Sequence, residues 1–348
     1  MKTITPDEVR SWAKKAALSF AAVGVLGSLL VVWLWHDRES LDDIHWQPYP
    51  YIEPSIDAVT MTWLGVTTLL FDDGETQLLI DGFFSRPTLA DALLRRPVES
   101  DAVQINYVLD EYRMRRLAAI IPAHSHYDHA MDIGAIANRS SASILGSEST
   151  ANIARGAGVP EDQIVVVESG NPYSFGLFSV TLIASPHAPI GWAGSVPVSG
   201  TIDEPLALPA PIWAYREGQS YSIVIEHPYG TTLVHASGGY VDGFLTGVKA
   251  DVVMLGMALL EGLGRDYIEQ YWQAVVTTTG AAHVFPFHFD DYTRPFGEIA
   301  LYPRVLDNFL TTAKWLTEIG ATWDTDTRLH LPEFGKTLVL YPQVSPEA

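Results

Sequence analysis

Short apolar runs bounded by Gly, Pro and Asp recur along the chain and predict β-strands, whereas the segments between them show helical spacing. A first group of strands, at 58–64, 67–71 and 76–80, includes a hairpin whose turn is Asp-Asp-Gly-Glu. Further strands are predicted at 117–121, 142–145, 163–167, 178–184, 221–226, 231–235, 251–255, 282–285 and 337–340. Helices are predicted at 87–96, 102–114, 131–138, 148–157, 266–276 and 304–319.

The order of these elements predicts the fold class. Each half of the chain opens with hairpins and then alternates strand and helix, which indicates two mixed β-sheets packed together with helices outside, an α/β fold. The segment 188–218 is rich in Pro and Gly and shows little periodicity. Long loops of this kind inside a compact domain usually cover a functional site.

The amino-terminal region carries the longest apolar segment. Residues 16–35 are uncharged and mostly apolar, and as a helix of about 1.5 Å per residue they would cross a hydrocarbon core of about 30 Å. The basic residues before this segment are Lys2, Arg10, Lys14 and Lys15. Acidic residues follow it, so the positive-inside rule places 1–15 in the cytoplasm and the remainder outside, periplasmic or extracellular. A cleaved signal peptide is the alternative, but no small-residue cleavage site follows the apolar run.

The chain therefore divides into four parts. A proline-interrupted stretch, with Pro48, Pro50 and Pro54, marks the connection between the apolar segment and the first strand. The predicted parts are a cytoplasmic tail at 1–15, a single transmembrane anchor at 16–35, a linker at 36–57 and one domain at 58–348.

Composition narrows the possible partners. With 348 residues, 47% of them hydrophobic and 18% charged, the chain can bury a large core. Its formal net charge of −20 argues against nucleic acid as a partner, because Lys and Arg supply most of that affinity. The sequence contains no cysteine, which removes disulfides, thiolate ligands and a cysteine nucleophile. Histidine and carboxylate remain as the strong metal ligands.

One hexapeptide concentrates such ligands. The segment 124–129, His-Ser-His-Tyr-Asp-His, directly follows the apolar run 117–121 and Pro122. Protonated imidazoles this crowded would repel one another, so a bound cation is the simplest way to stabilise the loop. The isolated histidines are expected to be ordinary hydrogen-bonded residues, namely His36, His45, His227 and His330.

Three predicted strand ends present a histidine, at His124, His187 and His288, and strand ends of this kind converge at one sheet edge. The His-x-His-x-Asp-His string, preceded by Trp-Leu-Gly at 63–65 and Leu-Ile-Asp at 79–81, resembles the metallo-β-lactamase superfamily over about residues 58–330. This resemblance implies a four-layer αβ/βα sandwich. Within the superfamily, the Trp-Leu-Gly segment and Asp-Gly-Phe-Phe at 81–84 resemble most the branch of ascorbate-phosphate lactonases and the phospholipase D of N-acyl-phosphatidylethanolamines.

The resemblance also implies a ligand set. One metal would be held by His124, His126 and His187. A second would be held by Asp128, His129 and His288. The family uses a bridging hydroxide as nucleophile, which Asp128 would orient as the catalytic carboxylate, and zinc lowers the pKa of bound water toward about 7. One or two divalent ions are expected, with zinc favoured by the nitrogen-rich ligands and manganese or iron as alternatives.

Three further residues concern this centre. Family members place a bridging aspartate where this chain has Ser237, which lacks the charge that holds two dications about 3.5 to 4 Å apart. The second metal is then weak or absent, or His235 on the same strand replaces the bridge, although a hydrogen-bonded core histidine is the preferred interpretation. Asp81 is expected to hold a ligand histidine through its other ring nitrogen.

Other residues near the motifs have two interpretations. Asp290 and Asp291 are interpreted as a solvated loop, with groups that contact the metal ligands or the substrate as the alternative, and Arg294 is a candidate for binding an anion. The aromatic residues are interpreted as ordinary packing, with an apolar substrate pocket as the alternative, namely Phe83, Phe84, Trp192 and Trp213.

Two functions from different classes fit these observations. The first is a membrane-anchored metal-dependent hydrolase that cleaves an ester, lactone, amide or phosphodiester of a small-molecule or lipid-like substrate. A β-lactam is less favoured, since fold does not fix chemistry. The alternative is a non-catalytic metal-binding or sensory module, suggested by Ser237. The sequence makes no prediction of oligomeric state.

Overall fold

The computed structural model describes residues 5–50, 52–53 and 58–342. Lys2, Pro54 and the last six residues of the predicted domain, 343–348, lie outside the described residues. The helices are α1 Pro6–His36, α2 Leu89–Leu93, α3 Ala102–Glu111, α4 Tyr127–Ala130, α5 Ile133–Ser140, α6 Glu148–Gly156, α7 Arg265–Trp272 and α8 Phe309–Trp323.

The strands largely follow the predicted apolar runs. They are β1 Ala58–Trp63, β2 Leu69–Asp72, β3 Gln77–Ile80, β4 Pro97–Val98, β5 Leu117–Ile121, β6 Ser143–Gly146, β7 Ile164–Val166, β8 Pro172–Phe175, β9 Phe178–Ser185, β10 Ala210–Pro211, β11 Ser220–His227, β12 Gly230–His235, β13 Val252–Gly256, β14 His283–Phe287, β15 Arg328–Leu329 and β16 Thr337–Pro342.

Two seven-stranded sheets organise the domain, with strand orders β16-β1-β2-β3-β5-β6-β7 and β15-β14-β13-β12-β11-β9-β8. In the first sheet the pairs from β16 to β3 are antiparallel and those from β3 to β7 are parallel. The second sheet is antiparallel from β8 to β12 and parallel from β12 to β15. The prediction of two mixed sheets is therefore confirmed.

Alternate residues of the central strands face two different cores. Ile80 and Ile121 point into the cluster between the two sheets, whereas Leu79 and Ile120 belong to the cluster beneath α3, α5 and α6. In the second sheet, the consecutive residues Val253 and Met254 both belong to the first cluster, which therefore covers both faces of β13 and includes Trp272 of α7. Because both faces of these strands are covered, their sequences are continuously apolar, and the layers form the expected αβ/βα sandwich.

Several elements differ from the sequence prediction, and the α-helices predicted at 87–96, 102–114 and 266–276 are shorter than expected. The last helix begins at Phe309 and not at residue 304, because the Asn308 side chain accepts a hydrogen bond from the Thr311 amide at 3.0 Å and caps the first turn. The long loop 188–218 contains one short strand, β10, which pairs with β4. Strand β8 is a further addition, since its Pro172–Phe175 sequence has no clear alternation.

The amino-terminal helix stands apart from this sandwich. Its Lys14–His36 stretch has a mean hydropathy of 2.3, and none of the apolar window is buried against the domain. By length and composition it can cross a membrane, although a signal sequence would show the same properties. The segment after it lies against the domain, where Trp46 Nε1 donates to Thr317 Oγ1 at 2.9 Å and the ring of Tyr49 contacts that of Phe285.

Candidate metal centre

The carboxyl ends of strands from both sheets meet at one edge of the sandwich, as expected for parallel strands. Strands β3 and β5 run in parallel with Ile80 opposite Ile121, so Asp81 and the 124–129 loop emerge side by side. The predicted ligands form two groups, in each of which the ligand atoms lie within 4.8 Å of one another. The first group is His124, His126 and His187, and the second is Asp128, His129 and His288.

Two histidines of the first group turn ring nitrogens toward each other. His124 Nε2 lies 2.8 Å from His126 Nδ1. The opposite nitrogen of each ring has its own acceptor, since His124 Nδ1 lies 3.2 Å from Ser237 Oγ and His126 Nε2 lies 3.0 Å from the Pro197 carbonyl oxygen. If those outer nitrogens carry the protons, two lone pairs face each other at 2.8 Å, an arrangement that a cation between them stabilises.

The third histidine of this group is held by its backbone. His187 Nδ1 donates to the Ala188 carbonyl oxygen at 2.8 Å, which leaves Nε2 free as a ligand atom. The Ala188 amide donates to the Ser237 carbonyl oxygen at 2.9 Å, so the two loops are joined. Gly239 is required there, because a Cβ at this position would lie 2.5 Å from the His187 carbonyl carbon.

One helical turn positions the second group. Helix α4 begins immediately after His126, whose carbonyl oxygen accepts from the His129 amide at 3.1 Å. This turn carries both Asp128 and His129 into the site. Asp128 Oδ2 lies 3.5 Å from His129 Nε2 and 3.5 Å from His288 Nε2. One carboxylate oxygen and two imidazole nitrogens thus converge on one point, which is a ligand set suited to a divalent transition metal.

Asp81 contacts the ring nitrogen of His129 that faces away from the centre. Its Oδ2 accepts from His129 Nδ1 at 2.9 Å, and its Oδ1 accepts from the Ala123 amide at 2.7 Å. Thr67 Oγ1 lies 3.0 Å from the same His129 nitrogen. These contacts fix the ring orientation and leave Nε2 as the ligand atom.

Burial and mutual repulsion keep most of these histidines neutral. Desolvation lowers the pKa of His126 to about 4 and that of His288 to about 3. Burial alone would raise the pKa of Asp128, but the neighbouring imidazoles of His129, His288 and His126 bring it below its ordinary value. Burial also disfavours the charged form of His129, but the carboxylates of Asp81 and Asp128 raise its pKa above the ordinary value. Apart from His129, the centre therefore offers neutral imidazoles and an ionised carboxylate at neutral pH, the protonation states that a metal requires.

Ser237 and His235 occupy different environments. Ser237 contacts the ring of His124, on the side opposite His126. His235 is fully buried, its Nδ1 lies 2.6 Å from Ser222 Oγ, and its ring packs against Phe244 and Tyr271. His235 belongs to neither ligand group among the described residues. Its contacts are those of a hydrogen-bonded core histidine.

A cavity of about 760 Å³ opens above the two ligand groups. Its walls are largely apolar and include Ile190, Trp213 and Leu259. Trp35, from the last turn of α1, also lines it. Phe83 and Phe84 are fully buried core residues, as the interpretation of ordinary packing expects, whereas Trp213 lines the cavity and Trp192 is exposed within the 188–218 loop.

Three tyrosines near Asp128 were missed by sequence reasoning, namely Tyr127, Tyr292 and Tyr302, and all three line the cavity. The rings of Tyr127 and Tyr292 meet edge to face, as do those of Tyr292 and Tyr302. The only local signal was the Tyr inside the hexapeptide. The other two reach the site from the loop after β14, so their role depends on tertiary structure.

The acidic pair after His288 is buried, so its interpretation as a solvated loop is wrong. Both oxygens of Asp290 lie 2.9 Å from the Val66 amide, and Asp291 forms an ion pair of 2.8 Å with Arg38. Arg294, the candidate anion-binding residue, pairs with Glu298 on the surface. The acidic pair therefore fastens the loop that carries His288.

Comparisons with known proteins agree with this fold. No family model matches the chain. A UPF0173 metal-dependent hydrolase from Heliobacterium modesticaldum is 24% identical over 292 residues, which is 80% of this chain and 97% of that protein.

Among solved structures, isothiocyanate hydrolase from Delia radicum gut bacteria superposes with a TM-score of 0.51 at 14% identity, covering 81% of this chain and 99% of that one. A mutant of the β-hydroxylase CmlA superposes with a TM-score of 0.50 at 14% identity, covering 83% of this chain and 55% of that one. These two likenesses concern the fold.

The sandwich, the His-x-His-x-Asp-His string and the similarity to a metal-dependent hydrolase support a hydrolase of the metallo-β-lactamase superfamily. The narrower branch suggested by the Trp-Leu-Gly segment stays a prediction. Because a β-hydroxylase shares the fold, the substrate has to be argued from the site itself.

Proposed function

We propose that this protein is a membrane-anchored hydrolase that cleaves an ester or lactone in an amphiphilic substrate, with a phosphodiester as the second substrate class. One observation supports the proposal above all. The two ligand groups lie together in the wall of an apolar cavity of about 760 Å³, large enough for a lipid-sized group.

The first ligand group is expected to bind metal more tightly than the second. His124, His126 and His187 would supply three neutral imidazole nitrogens, a set typical of zinc. The second group has Asp128 for charge but has Ser237 at the position of the usual bridge. A divalent ion bound at this centre supplies a nucleophile from water at neutral pH and polarises the oxygen that gains charge during hydrolysis.

Side chains of the protein would orient the attacking water and donate hydrogen bonds to the substrate. Asp128, ionised at neutral pH, can accept a hydrogen bond from the attacking water and hold it in line. Burial raises the pKa of Tyr127 and of Tyr292, so their hydroxyl groups remain protonated donors. They face the cavity and can hydrogen-bond to a substrate oxygen.

The charge of the cavity wall favours a neutral substrate. None of the described residues that line the cavity is Lys or Arg. A phosphodiester or the carboxylate of a β-lactam would therefore depend on the metal alone for charge compensation, whereas an uncharged ester or lactone needs none. Carbonyl substrates are therefore favoured over phosphodiesters.

The proposed location follows from the helix and its flanking charges. The apolar stretch Lys14–His36 would cross the membrane once, with the basic residues before it in the cytoplasm. The hydrolase domain would then face the periplasm or the outside. Fusion of a reporter that is active on one side of the membrane, placed after residue 342, tests this orientation.

The hydrolase proposal is tested with the full-length protein in detergent, loaded with zinc or manganese. A long-chain ester, a lactone, a phosphodiester and a β-lactam serve as substrates, and Asp128→Asn serves as the inactive comparison. We expect the ester or lactone to be turned over fastest, and Asp128→Asn to lose about 10²-fold or more in kcat. Metal binding without turnover of any substrate would favour the alternative, a non-catalytic metal-binding module.

A further inference from the structure

The mouth of the cavity lies at the end of the proposed membrane helix. Trp35 is in the last turn of α1, and it lines the cavity together with Leu306 and Leu263 of the domain. The remainder of the apolar stretch Lys14–His36 is exposed. A helix that crosses the membrane would therefore emerge from it at the cavity mouth.

The segment that connects this helix to the domain is short and is held to the domain by several contacts. Arg38 forms a 2.8 Å ion pair with Asp291, and the Arg304 amide donates to the Asp37 carbonyl oxygen at 2.9 Å. Glu39 accepts from the Leu310 amide at 3.3 Å. The three Cα–Cα steps from His36 to Glu39 span at most roughly 11 Å, so the domain surface would lie close to the membrane.

Exposed apolar side chains surround the mouth. Leu93, Trp213 and Leu306 line it, and the neighbouring residues Leu94 and Val305 are also exposed. These five, with Trp192, have exposed fractions between 43% and 93%, and we call them the apolar rim. Apolar patches of this kind on a soluble surface mark an interaction site.

Cations lie beside the apolar rim although the chain is strongly acidic. Arg95 and Arg96 directly follow the exposed Leu93 and Leu94 at the end of α2, and the Arg95 guanidinium lies 5.7 Å from the centre of the Trp213 ring. With a net charge of −20, the protein as a whole would be repelled by anionic lipid. Arginine next to tryptophan and leucine is instead the composition of a surface that lies at the lipid headgroups.

We propose that the apolar rim rests in the outer leaflet of the bilayer, so that the cavity opens toward the lipid and an amphiphilic substrate enters from the membrane. This inference rests on the proposed membrane anchor. Three observations favour the bilayer as the partner of the apolar rim. They are the continuity of the rim with α1, the short connection between α1 and the domain, and the neighbouring arginines. The reaction at the metal centre does not depend on it.

Site-directed spin labels test the docking, because the chain contains no cysteine and each label needs only one substitution. Full-length Leu94→Cys and Val305→Cys are labelled in nanodiscs of phosphatidylcholine containing phosphatidylglycerol. Val25→Cys within α1 is the immersed reference. Leu177→Cys is the water-exposed reference, since the adjacent Gly176 packs against Thr76 at the opposite end of the sheet from the metal centre.

We expect the labels at 94 and 305 to collide preferentially with oxygen over a water-soluble nickel chelate, as the label at 25 does. If only the label at 25 collides preferentially with oxygen, docking of the apolar rim is refuted and the membrane anchor is supported. If the label at 25 collides freely with the nickel chelate, both the docking and the anchor are refuted. Hydrolysis by the metal-loaded protein is measured separately and tests the proposed catalytic activity. Spin–spin broadening at 94 or 305 would instead show that a second copy covers the rim, and would overturn the proposal.

Discussion

The hydroxyl oxygen of Ser237 lies 3.2 Å from Nδ1 of His124, on the side of the ring opposite His126. At the position where family members supply a bridging aspartate, this chain thus has a neutral group that contacts one ligand histidine. The hydroxyl oxygen can accept a hydrogen bond from Nδ1–H, the tautomer in which Nε2 is unprotonated. The first candidate metal position would then have an oriented imidazole, and the second would lack a bridging charge.

Replacing Ser237 with aspartate should strengthen the second metal position, because a carboxylate there supplies the charge that two close dications require. We expect Ser237→Asp to raise the metal content of the purified protein toward two equivalents. Ser237→Ala, which removes the hydroxyl without adding charge, is the matched control and should not raise it. Equal metal content in Ser237→Asp and the unaltered protein would argue against a dinuclear arrangement.

Asp81 should control metal affinity without touching the metal. Asparagine keeps the acceptor for the Ala123 amide and tolerates the positive φ of 58° at this residue. It removes the negative charge beside His129 Nδ1, so Asp81→Asn should weaken metal binding by about 10- to 100-fold. Competition with a chelator measures this. Asp251→Asn, at the other end of the sheet beside Thr231, serves as the control and should leave the affinity unchanged.

The buried carboxyl group of Asp307 should make the stability of the folded protein depend on pH. Its pKa is raised from 3.8 to about 7, chiefly by burial, so the folded state binds this proton more tightly than the unfolded chain does. The stabilisation is fully present below about pH 4 and is lost as the pH rises through about 7. Asp307→Asn should therefore be more stable than the unaltered protein at pH 8, with a smaller difference at pH 4.

Thermal unfolding at both pH values checks this prediction, with the exposed substitution Asp203→Asn as the control. The comparison between variants removes the contributions of the other titrating groups, which are the same in both proteins. Identical pH profiles of thermal stability for Asp307→Asn and the unaltered protein would show that Asp307 does not cause the pH dependence.

The ion pair between Arg38 and Asp291 should stabilise the domain. The Asp291 side chain is only 2% exposed and that of Arg38 is 18% exposed, so removal of the arginine leaves a buried charge without its partner. We expect Arg38→Met to lower the free energy of unfolding by about 3 kcal/mol. Arg294→Met breaks an exposed pair with Glu298 and should cost only about 0.5 kcal/mol or less. Equal effects from the two variants would contradict a structural role for Arg38.

The fold and the convergence of the candidate ligands could both be predicted from the sequence, because both depend on local signals. The run 117–121 is apolar on both faces, which is the pattern of a strand covered by a sheet and by helices. Since it ends at Pro122 immediately before the histidines, and since parallel strand ends share one edge, His187 and His288 could be placed at the same edge from their positions after predicted strands.

The contacts that modify the centre could not be predicted in the same way. The Ser237–His124 contact joins residues 113 positions apart, and no local pattern specifies which ring nitrogen it meets. Asp290 and Asp291 have the composition of a solvated loop, yet their partners are the amide of Val66 and the guanidinium of Arg38. The position of Trp35 in the cavity wall could not be predicted either, because it depends on contacts between the segment after α1 and a loop that is distant in sequence.

The most direct test of the central claim is the metal content of the full-length protein in detergent, measured by elemental analysis for the unaltered chain and for His126→Ala. His45→Ala is the control, because His45 is exposed and lies in neither ligand group. We expect at least one equivalent of zinc, manganese or iron in the unaltered protein and in His45→Ala, and loss of about one equivalent together with turnover in His126→Ala. A metal-free unaltered protein, or a His126→Ala protein with full metal content and turnover, would contradict the account.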